Sequence, residues 1–218
     1  MSAPTLVVDA AVADVERPVV AAFARQLGDC LSQASGDRWR VEARPYGGID
    51  ALAPGEGARI VVASLQSELA GRDDAEAVTR RWEAKLAALV PRSAAVLLVT
   101  IVRRVAATLP ARTTAEVPRI ERIRRLNRCA IALSQASGAA VADVDRVIAY
   151  FGARELACDY RLRSPAAVEV AAWTMLATLV SLGTLDDHAG PGATERARAW
   201  LGRLPDLPSF VHKRLGTR

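Results

Sequence analysis

The residues best able to do chemistry are charged or hydroxyl-bearing groups placed where short apolar runs end. Asp9 and Ala10 close the run Thr5 to Ala10, Gly47 and Gly48 follow an alternating segment, and Gln66, Ser67 and Glu68 follow the run Arg59 to Leu65. Farther along, Asp159, Tyr160 and Arg163 stand just ahead of a long apolar stretch. Carboxylates serve as general acids or bases, and an arginine facing them either binds an anion or tunes their proton affinity. Ser67 carries a hydroxyl that could act as a nucleophile, yet no histidine lies beside it in sequence.

Other candidates are weaker. The chain has two histidines, His188 in LDDHAGPG and His212 in FVHKR, both in predicted loop or tail segments. With scattered acids they make no metal-ligand pattern, and His188 reads as a solvated loop residue. Cys30, Cys129 and Cys158 are odd in number and lack CxxC spacing, so neither a disulfide framework nor a zinc site is indicated, and they read as small buried apolar residues. No metal and no cofactor is expected. Arg119, Arg122, Arg124, Arg125 and Arg128 spread round one predicted helix, either as a solvated face or as a docking surface for an acidic carrier protein or phosphate groups.

The elements that must position these residues follow from hydrophobic periodicity. Strands are expected at 5–10, 38–44, 59–65, 94–102 and 139–144. Helices are expected from about 17, then over 74–90, 119–137, 164–182 and 193–204, with Gly138 closing one and Ser164-Pro165 opening another. Short β-branched runs alternating with amphipathic helices predict a parallel sheet covered on both faces, in one domain over 1–218. In such a sheet the ligand site lies beyond the carboxyl ends of the strands. The net charge of +5 comes from arginine without interleaved aromatics, so nucleic acid is not an expected partner. No apolar run approaches the ~20 residues of a membrane span, and a cytoplasmic address is expected.

Taken in order, the strand ends resemble the blocks of the SGNH (GDSL-type) hydrolases, a family of esterases, lipases, thioesterases and carbohydrate deacetylases. Arg125-Leu126-Asn127 on a helix, then SGAAVADVDRVIAYFG and DYRLRSPAAVEVAAWTMLATLV, resemble that family's closing run of helix, strand, loop and helix. The resemblance covers roughly residues 5 to 182, leaving a C-terminal helix and tail over 183–218. It implies a three-layer α/β/α, flavodoxin-like fold with about five parallel strands.

The chain departs from the family at each chemical position. Where relatives place Gly-Asp-Ser it has Val8-Asp9-Ala10, and alanine cannot attack a carbonyl. Gly47 or Gly48 could supply one oxyanion donor, but Gln66 stands at the glycine and Glu68 at the asparagine of Gly-x-Asn-Asp, where a carboxylate would repel the oxyanion. The Asp-x-x-His block corresponds to Tyr160-Arg161-Leu162-Arg163, with Asp159 one position early, and an arginine is no base at neutral pH.

The resemblance therefore implies a divergent member that does not carry out ordinary ester hydrolysis. It would bind or act on a small acyl-bearing or anionic molecule, within a bacterial biosynthetic pathway by the habits of the family. Glu68 and Asp9 would act as acid or base, Tyr160 would donate a hydrogen bond, and Arg163 would anchor an anion. Gln66, Gly47, Gly48 and Ala10 would line the ligand. Two alternatives stand beside it: a pseudo-hydrolase that binds a partner protein through the arginine-rich helix, and an esterase whose nucleophile has moved to Ser67.

Overall fold

The structure, a computed structural model, describes residues 3–55, 58–103, 116–149, 162, 164–204, 208, 211, 213, 215 and 216. Five strands run parallel: β1 (Thr5–Ala11), β2 (Arg40–Tyr46), β3 (Arg59–Ser64), β4 (Ala95–Val99) and β5 (Ala140–Ala142), in spatial order β2-β1-β3-β4-β5. Every residue of β3 and β4 is buried, as their continuous apolar sequences require in a sheet covered on both faces. β2 lies at one edge and is only half-buried; its charges Arg40, Glu42 and Arg44, with Pro45, discourage pairing with a further strand.

Alternation along each strand feeds two cores. Leu6, Val8 and Ala10 of β1, with Ile60, Val62, Leu97 and Val99, pack in one core with Phe23, Leu27 and Leu31 of α1 (Arg17–Ser35). Met175, Leu176 and Leu179 of α4 (Pro165–Ser181) and Ala197 and Leu201 of a later helix (Ala193–Leu201) complete that layer. On the other face Ala11, Val61, Ala63, Val96 and Leu98 meet Trp82, Leu86 and Leu89 of α2 (Ala75–Leu89). They also meet Leu126, Ala130 and Leu133 of α3 (Glu116–Ser137). This is the expected three-layer α/β/α arrangement with a flavodoxin-like strand order.

Local signals place the helix ends. Asp74 and Ser164 accept hydrogen bonds from the backbone N–H of Ala77 and Ala167, at 2.8 and 3.3 Å, so each caps its helix as its residue type favours. Gly138 follows α3 with φ +81°, a left-handed conformation that other residues adopt at a cost. Trp173 and Trp200 pack against the core and Met175 lies within it, as their helical spacing implies. Cys30 and Cys129 are buried and unpaired, whereas Cys158 lies outside the described residues. Among the described residues no helix is long and apolar enough to cross a membrane.

The structure differs from the expected elements in three places. β1 continues one residue past Ala10, and Val12 still donates to the Tyr46 carbonyl at 3.0 Å. β3 ends at Ser64, one residue short of the expected run, and Leu65–Ala70 form a 3-10 turn. His188, expected in a solvated loop, sits half-buried in a one-turn helix (Asp186–Ala189) with its Nε2 buried and without a partner among the described residues, and burial lowers its proton affinity. His212 lies outside the described residues.

Candidate functional site

The order β2-β1-β3 reverses direction at β1, so the crevice of this fold opens between the carboxyl ends of β1 and β3. Two side chains meet there that sequence reasoning missed as a pair. Ser64, the last residue of β3, is fully buried and donates from Oγ to Glu16 Oε1 at 2.6 Å. Glu16, only 5% exposed, accepts the Ala13 backbone N–H on Oε2 at 3.0 Å. Ser64 Oγ also accepts from the Gln66 N–H at 3.1 Å and so caps the 3-10 turn. Burial pushes the Glu16 carboxyl up to about 7, against the pull of the Ser64 and Ala13 hydrogen bonds. The sequence signal was the acid three residues after Ala13 and just before Arg17-Pro18, a spacing at which a carboxylate turns back onto the chain entering a helix.

Around this pair the structure collects some of the expected residues. Gly48 follows β2 in extended conformation, and a Cβ built on it would lie 3.8 Å from Ser67 Oγ. Gly48, Gln66 and Ser67 thus share the crevice edge, and Gly47 next to Gly48 is exposed with open space around it. Ser67 Oγ is itself buried without a hydrogen-bond partner among the described residues.

Ala10 does not join them. It is fully buried in the core layer shared with α1 and α4, because the strand runs on to Ala11 and the side chain at position 10 points away from the crevice mouth. Asp9 faces the opposite side of the sheet from Ala10. There Arg59, at the start of β3, donates to Asp9 Oδ2 at 2.6 Å, and the Tyr46 hydroxyl lies 3.4 Å from Oδ1. Arg59 is held in turn by the Ala53 carbonyl at 2.8 Å. A buried carboxylate bound to a buried guanidinium neutralises the charge and supports the fold; it is not poised to move protons in the crevice.

Glu68 is likewise occupied. From the 3-10 turn it accepts from the Trp82 indole N–H at 3.0 Å and from the Arg81 guanidinium, while its backbone carbonyl accepts from Arg122 at 2.7 Å. The side chain is buried and turned toward α2, so it ties the end of β3 to that helix. Among the described residues, Glu68 forms its ion pair with Arg81. Glu68→Gln should keep the fold and cost about 1–2 kcal/mol in chemical denaturation, since one charge-assisted bond is weakened and the Trp82 bond survives. Tyr160, Arg163 and Asp159 lie outside the described residues.

A second concavity opens at the carboxyl ends of β4 and β5, beside α3. Its volume is about 520 Å³, and it is lined by Thr100, Arg103, Arg124, Asn127, Arg128, Ile131, Val141, Asp143, Asp145 and Arg146. Its floor is built from mutual hydrogen bonds. Asn127 accepts the Ile101 N–H at 2.8 Å and donates to the Ile101 carbonyl at 2.9 Å, which fixes the chain leaving β4. Asp145 accepts the Arg103 backbone N–H at 2.7 Å and its Nε–H at 2.6 Å. Thr100 Oγ1 donates to Asp143 Oδ1 and accepts from the Asp145 N–H, at 3.1 and 3.0 Å. Burial pushes the Asp145 carboxyl up, opposed by Arg103.

No protein-family model matches the chain, and no curated protein matches it in sequence. Among solved structures it is similar to LAE5, an alpha/beta hydrolase enzyme from the metagenome of Lake Arreo, Spain, with TM-score 0.54 and 13% identity over 85% of this chain and 98% of that one. A protein from Slackia heliotrinireducens, provisionally assigned as an SGNH hydrolase, aligns with TM-score 0.47 and 16% identity over 82% of this chain and all of its own. At these identities the likeness is one of fold.

Proposed function

We propose that this chain is an SGNH-type hydrolase fold that binds a small anionic or acyl-bearing molecule at its carboxyl edge and does not carry out serine ester hydrolysis. A bacterial biosynthetic pathway is the setting that the family resemblance suggests. The observation that carries the reading is the pairing of Ser64 with Glu16. At the ends of β1 and β3 the hydroxyl with a carboxylate acceptor is fully buried and is engaged both by Glu16 and by the capping bond to Gln66. A nucleophile must reach a carbonyl carbon, and this oxygen has no exposed surface. Ser67 Oγ, the alternative, has no hydrogen-bond partner among the described residues to accept its proton.

The test is incubation of the full chain with a fluorophosphonate probe and with p-nitrophenyl acetate. The expected result is no covalent adduct by intact-mass spectrometry and no turnover above buffer, unchanged in Ser67→Ala. A stoichiometric adduct mapped to Ser67 or Ser64, lost on its replacement by alanine, would restore the esterase reading.

A second reading, a protein that engages an acidic partner through α3, is favoured by the exposure of Arg119, Arg124, Arg125 and Arg128 on that helix. It shares with the first an anionic ligand and the lack of ester turnover.

A further inference from the structure

The cavity at the ends of β4 and β5 has an electrostatic character that its floor does not cancel. Four guanidinium groups line it, against two carboxylates. Asp145 is taken up by Arg103. Asp143 is engaged by Thr100 Oγ1 and by the Arg146 backbone N–H at 3.2 Å. Arg124, Arg128 and Arg146 have exposed side chains, and none forms an ion pair with a described acid. Arg124 and Arg128 lie one turn apart on α3, and Arg146 faces the same cavity from the chain following β5.

We propose that this cavity binds the phosphate group of a small phosphate ester. The three guanidinium groups come from two separate elements round one opening. A carboxylate has two oxygens in one plane and is satisfied by a single arginine fork, whereas a phosphate presents three terminal oxygens that several forks can share. The volume of about 520 Å³ suits a small ligand better than a protein segment. The organic part has a place as well: Ile131, one turn beyond Arg128, is 52% exposed and lines the cavity with Val141. The hydrogen-bonded floor of Thr100, Asn127, Asp143 and Asp145 holds the cavity in shape without a ligand, which limits the ordering cost of binding.

This inference deepens the proposed function by naming the anion, and it can fail while the absence of ester hydrolysis stands, because binding and turnover are measured separately. The experiment is calorimetric titration of the full chain with phenyl phosphate, inorganic phosphate, benzoate and a hexaglutamate peptide at fixed ionic strength. Phenyl phosphate should bind saturably, with Kd below about 1 mM and at least about tenfold tighter than benzoate. Arg124→Ala/Arg128→Ala should weaken it at least about tenfold. Ile131→Ser should weaken phenyl phosphate and leave inorganic phosphate unchanged.

Arg38→Ala/Arg40→Ala removes the same charge from the groove beside Trp39 and Arg25 at the opposite edge of the sheet, and should change binding less than about twofold. The substituted arginines are exposed, so thermal melting should match the parent in both double variants. Equal loss in the two double variants would mean nonspecific attraction to a basic protein and would overturn the proposal. So would benzoate binding as tightly as phenyl phosphate, or hexaglutamate binding more tightly, the last pointing to an acidic protein partner.

Discussion

Replacing Asp9 with alanine is expected to lower the unfolding free energy by about 3–5 kcal/mol, a loss that urea denaturation will show as a large fall in midpoint with little change in slope. The size follows from what is left behind. Arg59 is about as buried as Asp9, and among the described residues its Nε has no partner and only the Ala53 carbonyl would remain to compensate its charge after the substitution. It also has little room to swing toward water on the Gly55 side, where even an added Cβ would lie 2.9 Å from Nη1. Removing both charges is a different experiment. Asp9→Leu with Arg59→Met exchanges the pair for apolar groups of similar bulk and should recover most of the loss, because the desolvation of two ions disappears with them. A single Asp9→Ala variant within about 0.5 kcal/mol of the parent would mean that Arg59 finds water, and the buried-pair assignment would be wrong. The outcome also separates two roles: an acid or base held ready for a substrate is commonly replaced at little cost to stability, and a structural counter-ion is not.

That distinction explains which parts of this protein could be read from its sequence. β3 and β4 were legible because burial on both faces demands continuous apolar runs, as in Arg59 to Ser64 and Ala95 to Val99, whereas the half-buried edge strand β2 was legible from its alternation. The cap at Ser164 was legible from a serine standing just before a proline, while Asp74, read as part of its helix, proves to be the cap. The direction of a charged side chain was not. Asp9 lies one residue from Ala10, and period-two alternation sends them to opposite faces. An error of one residue in the strand end therefore decided whether Asp9 was placed in the crevice or under the sheet. A sequence signal for the correct answer existed: a carboxylate inside an otherwise apolar strand requires a buried counter-charge, and Arg59 opens a neighbouring strand. Glu68 was placed correctly at the carboxyl edge, but its partners Arg81 and Trp82 come from α2, thirteen and fourteen residues on, and no spacing rule connects a 3-10 turn to the helix packed over it. The cavity beside α3 was half visible as a run of arginines. What the sequence could not supply was the arrival of Arg103, Arg146 and Ile131 at the same place.

Glu16 provides the second large effect, and its sign runs opposite to that of an ordinary salt-bridged carboxylate. Its carboxyl is raised from 4.5 to about 7 in the folded protein, mainly by burial, so the folded state holds the proton more tightly than the unfolded chain. Below about pH 4.5 the group is protonated in both states and has no electrostatic cost. As pH rises through 7 the folded protein must lose that proton inside the crevice, and stability falls by about 3 kcal/mol in total, most of it between pH 5 and 7. Glu16→Gln removes the titration. The amide can still accept the Ala13 N–H and turn its NH₂ toward Ser64, whose own proton is then unpaired at a cost of about 1 kcal/mol. The variant should therefore be slightly less stable than the parent at pH 4.5 and more stable, by about 1–2 kcal/mol, at pH 8. Taking the difference between the two proteins in urea unfolding at each pH cancels the contribution of Asp145, which shifts in the same direction. Parallel stability curves would mean that Glu16 is already ionised when folded and that Ser64 and Ala13 solvate it fully. Crossing curves would establish a carboxyl that changes charge near neutral pH at the one point where the sheet's strand order reverses.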